Sequence, residues 1–223
     1  MLLQDGKKII KQVVNIPLKN IFNEKDFNKI VKDKGKTGKL LENAILYINP
    51  KSAHLDFTDG ELKTNKWVNN HPNQTMSICM LKETFDELIT SDDLTTTYPM
   101  KKIENWLYVP IDKTKEKHDW FFKYPVHISR DNPKWDSWYK ELDSNFKDII
   151  VELRNNCDNG EKVHTITKNY IQIRTKGAGH GKGKMFSNYY NRYVSDVSYA
   201  IYLTLDGIKA LVKIAGDEIN GIE

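Results

Sequence analysis

The stretch HLDFTDGELKT, residues 54 to 64, sets the reading of the whole chain. Leu55 and Phe57 alternate onto one side, Asp59-Gly60 marks a turn, and Glu61-Leu62-Lys63-Thr64 reads as a strand leaving it, a hairpin-like arrangement. Residues two apart on a strand share a face, so Glu61 and Lys63 project together and Asp56 can approach them across the bend. Two carboxylates and an ammonium then converge. Such a set suits Mg²⁺, which binds through one or two carboxylates, keeps several waters and takes substrate phosphate oxygens; the Leu62 carbonyl could add a ligand. Beside that ion Lys63 could orient a water nucleophile and offset charge on a phosphorane, the chemistry of phosphodiester hydrolysis. The same spacing also describes an exposed hairpin edge carrying a weak Glu–Lys pair, so context has to decide.

Working outward, residues 22 to 33 place Phe22, Phe27, Ile30 and Val31 at helical spacing with Asn23 as N-cap, and Leu40 to Ile48 reads as a second helix ended by Asn49-Pro50. TMSICML (75–81) and WLYVPI (106–111) are β-rich runs, and the residues from Trp67 to Gln74 and from Thr90 to Pro99 read as loops. From Trp135 to about Asn155, Trp138, Leu142, Phe146, Ile149, Ile150 and Leu153 recur every three or four residues, which predicts one long amphipathic helix. Asp158-Asn159-Gly160 is a turn and HTITKNYIQIR (164–174) alternates as a strand. After the cationic glycine loop KGAGHGKGK come a strand in SDVSYAIYLTL and a closing helix capped by Asp206. This order predicts an α+β or α/β fold around one mixed sheet flanked by helices.

At 223 residues, 39% hydrophobic and 29% charged, the chain fits a single folded domain of one or two lobes and excludes disordered or collagen-like architectures. No run approaches the roughly 18 apolar residues of a membrane span, and the N-terminal stretch has no signal-peptide pattern, which points to a cytoplasmic protein without membrane contact. Cys79 and Cys157 lie far apart and suggest neither a disulfide framework nor a zinc site. The formal charge is only +4, but no acidic residue occurs between Lys162 and Ser195, where Lys162, Lys168, Arg174, Lys176, Lys182, Lys184 and Arg192 fall. That stripe is either a solvated basic face or a phosphate-tracking surface. The glycine loop fails the Walker A pattern, since Met185 follows its last lysine, and His180 within it reads as a DNA-contacting histidine rather than a base. His54, His71, His118, His127 and His164 show no metal-ligand spacing.

Several ordered blocks resemble the MutH family of endonucleases, which comprises the mismatch-repair nickase and related type II restriction enzymes. KDKGKTGKLLENA (32–44), DFTDGELKT (56–64), IENWLYVPID (103–112), WDSWYKELDSNFKDIIV (135–151) and KNYIQIRTKGAG (168–179) resemble the family's segments in the same order. Leu55 stands where the PD-(D/E)xK signature has proline. The resemblance implies a restriction-endonuclease-like fold, a central mixed sheet with helices and two lobes around a DNA cleft. It implies one MutH-like domain over residues 1–223, with the catalytic motif in a lobe of about 1–110 and DNA recognition in about 111–223. It implies that Asp56 and Glu61, with Leu62, hold metal, that Lys63 is the catalytic lysine and that Glu42 completes the active site. Lys34 and Lys102 (or its neighbour Lys101) match basic residues near the DNA, Arg174 and Lys176 the recognition strand, and Tyr202 an aromatic beside the bases. Arg174 is the residue suited to bidentate guanine readout, with Lys176, Lys182 and Lys184 on phosphate.

The expected activity is Mg²⁺-dependent cleavage of double-stranded DNA at a short palindrome such as GATC, with Mn²⁺ substituting and Ca²⁺ supporting binding without cleavage. A type II restriction enzyme, pairing as a homodimer on DNA, is preferred over a nickase stimulated by a mismatch-repair protein. A binding module that keeps the fold without the chemistry is the alternative of another class.

Overall fold

A computed structural model describes residues 1–32, 36–46, 55–177 and 183–221. Helices α1 (Leu3–Lys11), α2 (Leu18–Ile21), α3 (Glu24–Lys32) and α4 (Lys36–Leu40) come first, α4 running on into a π-helical turn over Leu41–Ile45. Strands β1 (Glu61–Val68), β2 (His71–Pro72) and β3 (Met76–Met80), helices α5 (Phe85–Thr90) and α6 (Tyr98–Glu104), and strands β4 (Asn105–Asp112), β5 (Phe121–Phe122) and β6 (Val126–Ser129) follow. The long α7 (Asp136–Asp158) leads to β7 (Ile166–Thr167), β8 (Ile171–Thr175), β9 (Met185–Ser187), β10 (Arg192–Ser195), β11 (Tyr199–Leu203) and α8 (Leu205–Ala215). No helix among the described residues is long and apolar enough to cross a membrane.

The chain forms two units, interleaved in sequence: residues 1–74, 103–133 and 211–223 make the first, 75–102 and 134–210 the second. Unit one is built on a mixed sheet in the order β2-β1-β4-β5, with β6 also on β4. Its central pair is parallel, Glu61 opposite Trp106 and Lys63 opposite Tyr108, and β4 is buried almost throughout, as a parallel strand covered on both faces must be. Leu107, Val109 and Ile111 of β4 meet Leu3, Ile10, Phe22, Phe57 and Phe122 in one apolar cluster. Alternate residues point the other way, where Trp106 and Tyr108 pack edge to face and the Trp67 indole donates to the Tyr108 hydroxyl at 2.8 Å.

Unit two carries an antiparallel sheet in the order β3-β11-β8-β7 and a separate two-stranded ribbon of β9 and β10. The apolar stripe of α7 lies on β7 and β8, and Trp138 is fixed by its indole N–H to the Gly207 carbonyl at 2.9 Å. The architecture is therefore mixed α/β, with mixed and antiparallel sheets flanked by helices.

Several local expectations change. The β-rich runs do not join one sheet: β3 pairs with β11, whereas β1 and β4 form the mixed sheet. Residues 55–60 are bends rather than a strand, so no hairpin precedes β1. The 164–174 segment is two strands folded on each other, because Lys168 N–H turns back to the Ile171 carbonyl. The loops read into 67–74 and 90–99 contain the end of β1, β2 and the start of α6. Helix α8 is capped by Thr204, whose hydroxyl accepts from Gly207 N–H at 3.0 Å, and not by Asp206, which lies in the first turn. Asn23 caps α3 as its position predicts, accepting from Asp26 N–H at 2.9 Å.

Candidate active site

The segment that carries Asp56 is anchored by Phe57. Its ring is 2% exposed and lies against Gly6 of α1 so closely that a Cβ there would come within 2.4 Å of it. Leu3 N–H donates to Asp59 at 2.7 Å and Phe57 N–H to the Gly60 carbonyl at 2.8 Å, closing the bend that delivers Asp56 to the first residues of β1. Gly60 allows close approach as well, since a Cβ would fall 2.5 Å from the Asn105 carbonyl oxygen. Bend and strand are thereby locked in register.

On this frame Glu61, 3% exposed, accepts from Lys63 Nζ at 2.7 Å, so the shared strand face expected for the pair is realised. Asp56 accepts from Leu62 N–H at 2.9 Å, and its own N–H lies 3.4 Å from the second Glu61 oxygen. Glu42 lies on the π-helical turn that follows α4. Gly38 lets α4 approach β1 closely, because a Cβ there would stand 2.9 Å from the Thr64 hydroxyl of β1. Burial, together with the charges of Asp56 and Glu61, pushes the Glu42 carboxyl up to about 7 against the smaller pull of Lys63 and Lys39. The partly buried Glu42 carboxyl thus feels the charges of Asp56, Glu61 and Lys63.

This donor set fits a hard divalent cation. Mg²⁺ needs one or two carboxylates and completes its shell with water and phosphate oxygens, and it would offset the Asp56 and Glu61 charges that add to burial in raising Glu42. Among the described residues no group of three His, Cys, Asp or Glu side chains forms a ready metal cage. His118 stacks on Phe27, and His127 is engaged by Gln4 and Asn105.

No family model and no curated protein matches the chain.

Of the residues expected to contact DNA, Lys102, Arg174, Lys176, Lys184 and Tyr202 are described, and they lie in unit two. Arg174 of β8 donates to the Thr75 hydroxyl at 2.8 Å, and its guanidinium lies 4.3 Å above the ring of Tyr202, a β11 residue only 8% exposed. Tyr202 is therefore a platform that orients Arg174 rather than a surface aromatic. Lys176 is exposed, 3.5 Å from the Ser77 hydroxyl, and Lys184 is exposed beside Tyr193. Lys102 lies in unit two, 7% exposed, its ammonium 5.3 Å from the Tyr98 ring centroid. Lys34, Lys182, His54 and His180 fall outside the described residues. Sequence reasoning gave no positioning role to Gly6, Gly38 or Phe57, although the last two lie in the segments quoted above, because that role comes from close approach between distant segments.

Proposed function

We propose that this chain is a Mg²⁺-dependent, site-specific DNA endonuclease with a restriction-endonuclease-like fold, most similar in kind to MutH-family enzymes. The observation that carries the reading is the hydrogen-bonded set of Asp56, Glu61 and Lys63 at the start of β1, whose charges also reach the Glu42 carboxyl. A structural Glu–Lys pair alone would not draw two further carboxylates within range of its charges, because unneutralised buried charge is costly. The ordered MutH-like segments and the acid-free basic stripe from residue 162 to 195 support DNA as the substrate.

Asp56 and Glu61 would hold the metal, which when bound supplies charge neutralisation at the scissile phosphate and a lowered pKa for water there. Lys63, fixed by Glu61, presents its ammonium to the charge developing on the phosphoryl oxygens. Glu42, as the carboxylate, would accept a hydrogen bond, and then a proton, from the attacking water. As the water oxygen bonds to phosphorus, the bond to the leaving oxygen breaks and that oxygen takes up a proton from solvent, leaving one phosphate end and one hydroxyl end. Water is thus consumed and one strand is cut.

A type II restriction enzyme working as a homodimer on a palindrome such as GATC is the preferred form of this proposal. Supercoiled plasmid incubated with Mg²⁺ should pass to linear product; open circles accumulating without linear product would identify a nickase instead. Lys63→Ala and Glu61→Ala should abolish cleavage while leaving duplex binding in Ca²⁺ largely intact, and unchanged cleavage by either variant removes these residues from the chemistry.

A further inference from the structure

The ribbon of β9 and β10 presents an exposed aromatic face. Phe186 and Tyr193 are directly opposite across the two strands, their rings 5.3 Å apart in a T-shaped pair, and both point outward at 48% and 54% exposure. Tyr189, at the turn, is 59% exposed. The alternate residues Met185, Ser187 and Val194 face inward and are buried, so the ribbon has one anchored side and one free aromatic side.

An isolated two-stranded ribbon is marginal in water, and this one is pinned from its inner side. Asp86 accepts from the Ser187 hydroxyl and, at 2.9 Å, from Asn188 N–H; Arg192 donates to the carbonyls of Cys157 and Glu161 at 2.7 and 3.1 Å; Val163 N–H donates to the Val194 carbonyl at 2.8 Å. These contacts also decide the charge. Asp86 and Asp158 are turned toward the base of the ribbon, Asp158 accepting from Tyr190, and Asp196 is paired with Lys162. On the aromatic side Lys184 stands with its ammonium 5.6 Å from the Tyr193 ring.

The entry to the ribbon also meets the end of the strand that bears Arg174. Ser198 accepts from Lys176 N–H at 2.9 Å, and Gly183, two residues before β9, packs so tightly that a Cβ would come within 2.5 Å of Ser198 N. The end of β8, the entry to the ribbon and the start of β11 therefore meet at one residue.

We propose that the β9–β10 ribbon is a second DNA-contacting element, in which Phe186 and Tyr193 pack against sugars and bases in a groove of the duplex while Lys184 meets the adjacent phosphate. A two-stranded ribbon matches the width of the major groove, aromatic rings stack on or wedge between bases without regard to sequence, and a flanking lysine adds the phosphate contact. Lys184 beside the aromatic pair, and the meeting of the ribbon's entry with the end of β8 at Ser198, favour DNA over a second protein chain as the occupant. This inference rests on the endonuclease reading for its substrate but not for its residues.

The test uses the full-length protein and a duplex containing GATC. Binding is measured by fluorescence anisotropy in Ca²⁺ and cleavage in Mg²⁺, for the wild type, Phe186→Ala/Tyr193→Ala and Phe186→Trp. The double alanine variant should raise Kd about tenfold or more, and Phe186→Trp should bind as the wild type does with its indole emission quenched on the duplex. Wild-type affinity in the double variant, alongside a cleaving wild type, overturns the ribbon proposal and leaves the endonuclease reading standing. Loss of affinity in the variant of a protein that binds but never cleaves upholds the ribbon and overturns the nuclease. A change only in sedimentation, with DNA affinity unaltered, would assign the aromatic face to protein contact and overturn the proposal, and a wild type that binds no duplex overturns both.

Discussion

Lys113 and Glu42 show how burial, more than pairing, sets the charges of unit one. Lys113 donates to the Thr37 hydroxyl at 3.2 Å and lies 4.2 Å from the Trp120 ring centroid, and desolvation, aided by the nearby Lys66 charge, pulls its ammonium down to about 8. Its unfolded value is the ordinary 10.5, so below pH 8 both states are protonated and the folded state carries the desolvation cost. Between pH 8 and 10.5 the unfolded chain binds more protons, and stability due to this group therefore rises with pH. Chemical denaturation of the wild type and of Lys113→Met at pH 7.5, 9 and 10.5 should show the wild type gaining on the variant as pH increases. A constant difference would refute the assignment. At Glu42 the same burial acts on an acid, and Glu42→Gln, which keeps the shape but cannot take a proton, should slow Mg²⁺-dependent cleavage by about 10²-fold or more in plasmid assays.

Helix α1 shows what a motif reading leaves out at the scale of elements. Leu3 and Ile10 enter the core of unit one, while Gly6 leaves the space into which the Phe57 ring fits, so the helix holds the bend that carries Asp56. Gly6→Ala places a methyl group 2.4 Å from that ring and should lower stability by about 1–3 kcal/mol, the range for overpacking, with a parallel loss of cleavage. Phe57→Leu in the same chain should recover part of both, and purely additive losses in a denaturation series would show that the two residues act separately. The contrast with what was readable is instructive. Helix α7 could be read because its apolar residues repeat over some six turns, and β3 and β4 because their apolar runs are continuous. The placement of Glu61 beside Lys63 was readable because strand geometry alone puts them on one face. Helices α1 and α5 and the β9–β10 ribbon were not anticipated: their periods are short, and what fixes them is distant, Asp59 for the start of α1 and Asp86 for the ribbon turn. That Glu42 belongs with Asp56 came only from family resemblance, since no local pattern reports a helix turn folded over a strand twenty residues on.

At the scale of the whole molecule, the order of the strands matters more than their sequence positions. Strand β4 is the partner of β1, β5 and β6 and so the centre of the mixed sheet, yet it follows β1 only after residues 75–102 have been spent in unit two. The same holds at the C-terminus, where residues 211–223 return to unit one and Gly221, in the left-handed conformation at φ 80°, brings the chain within a Cβ's reach of the Tyr124 ring. A division of the polypeptide at residue 110 cuts β4 itself. Loop closure over such distances is entropically unfavourable until the central strand pairs, so the sheet of unit one cannot complete before the intervening segment has been made. It follows that fragment 1–102, which has the whole Asp56, Glu61 and Lys63 segment but lacks β4, should remain unfolded, whereas 1–102 mixed with 103–223 should regain structure. Dispersion of amide resonances checks this directly: a well-dispersed spectrum from fragment 1–102 alone would show that the acidic site is held by α1, α4 and β1 without their central strand.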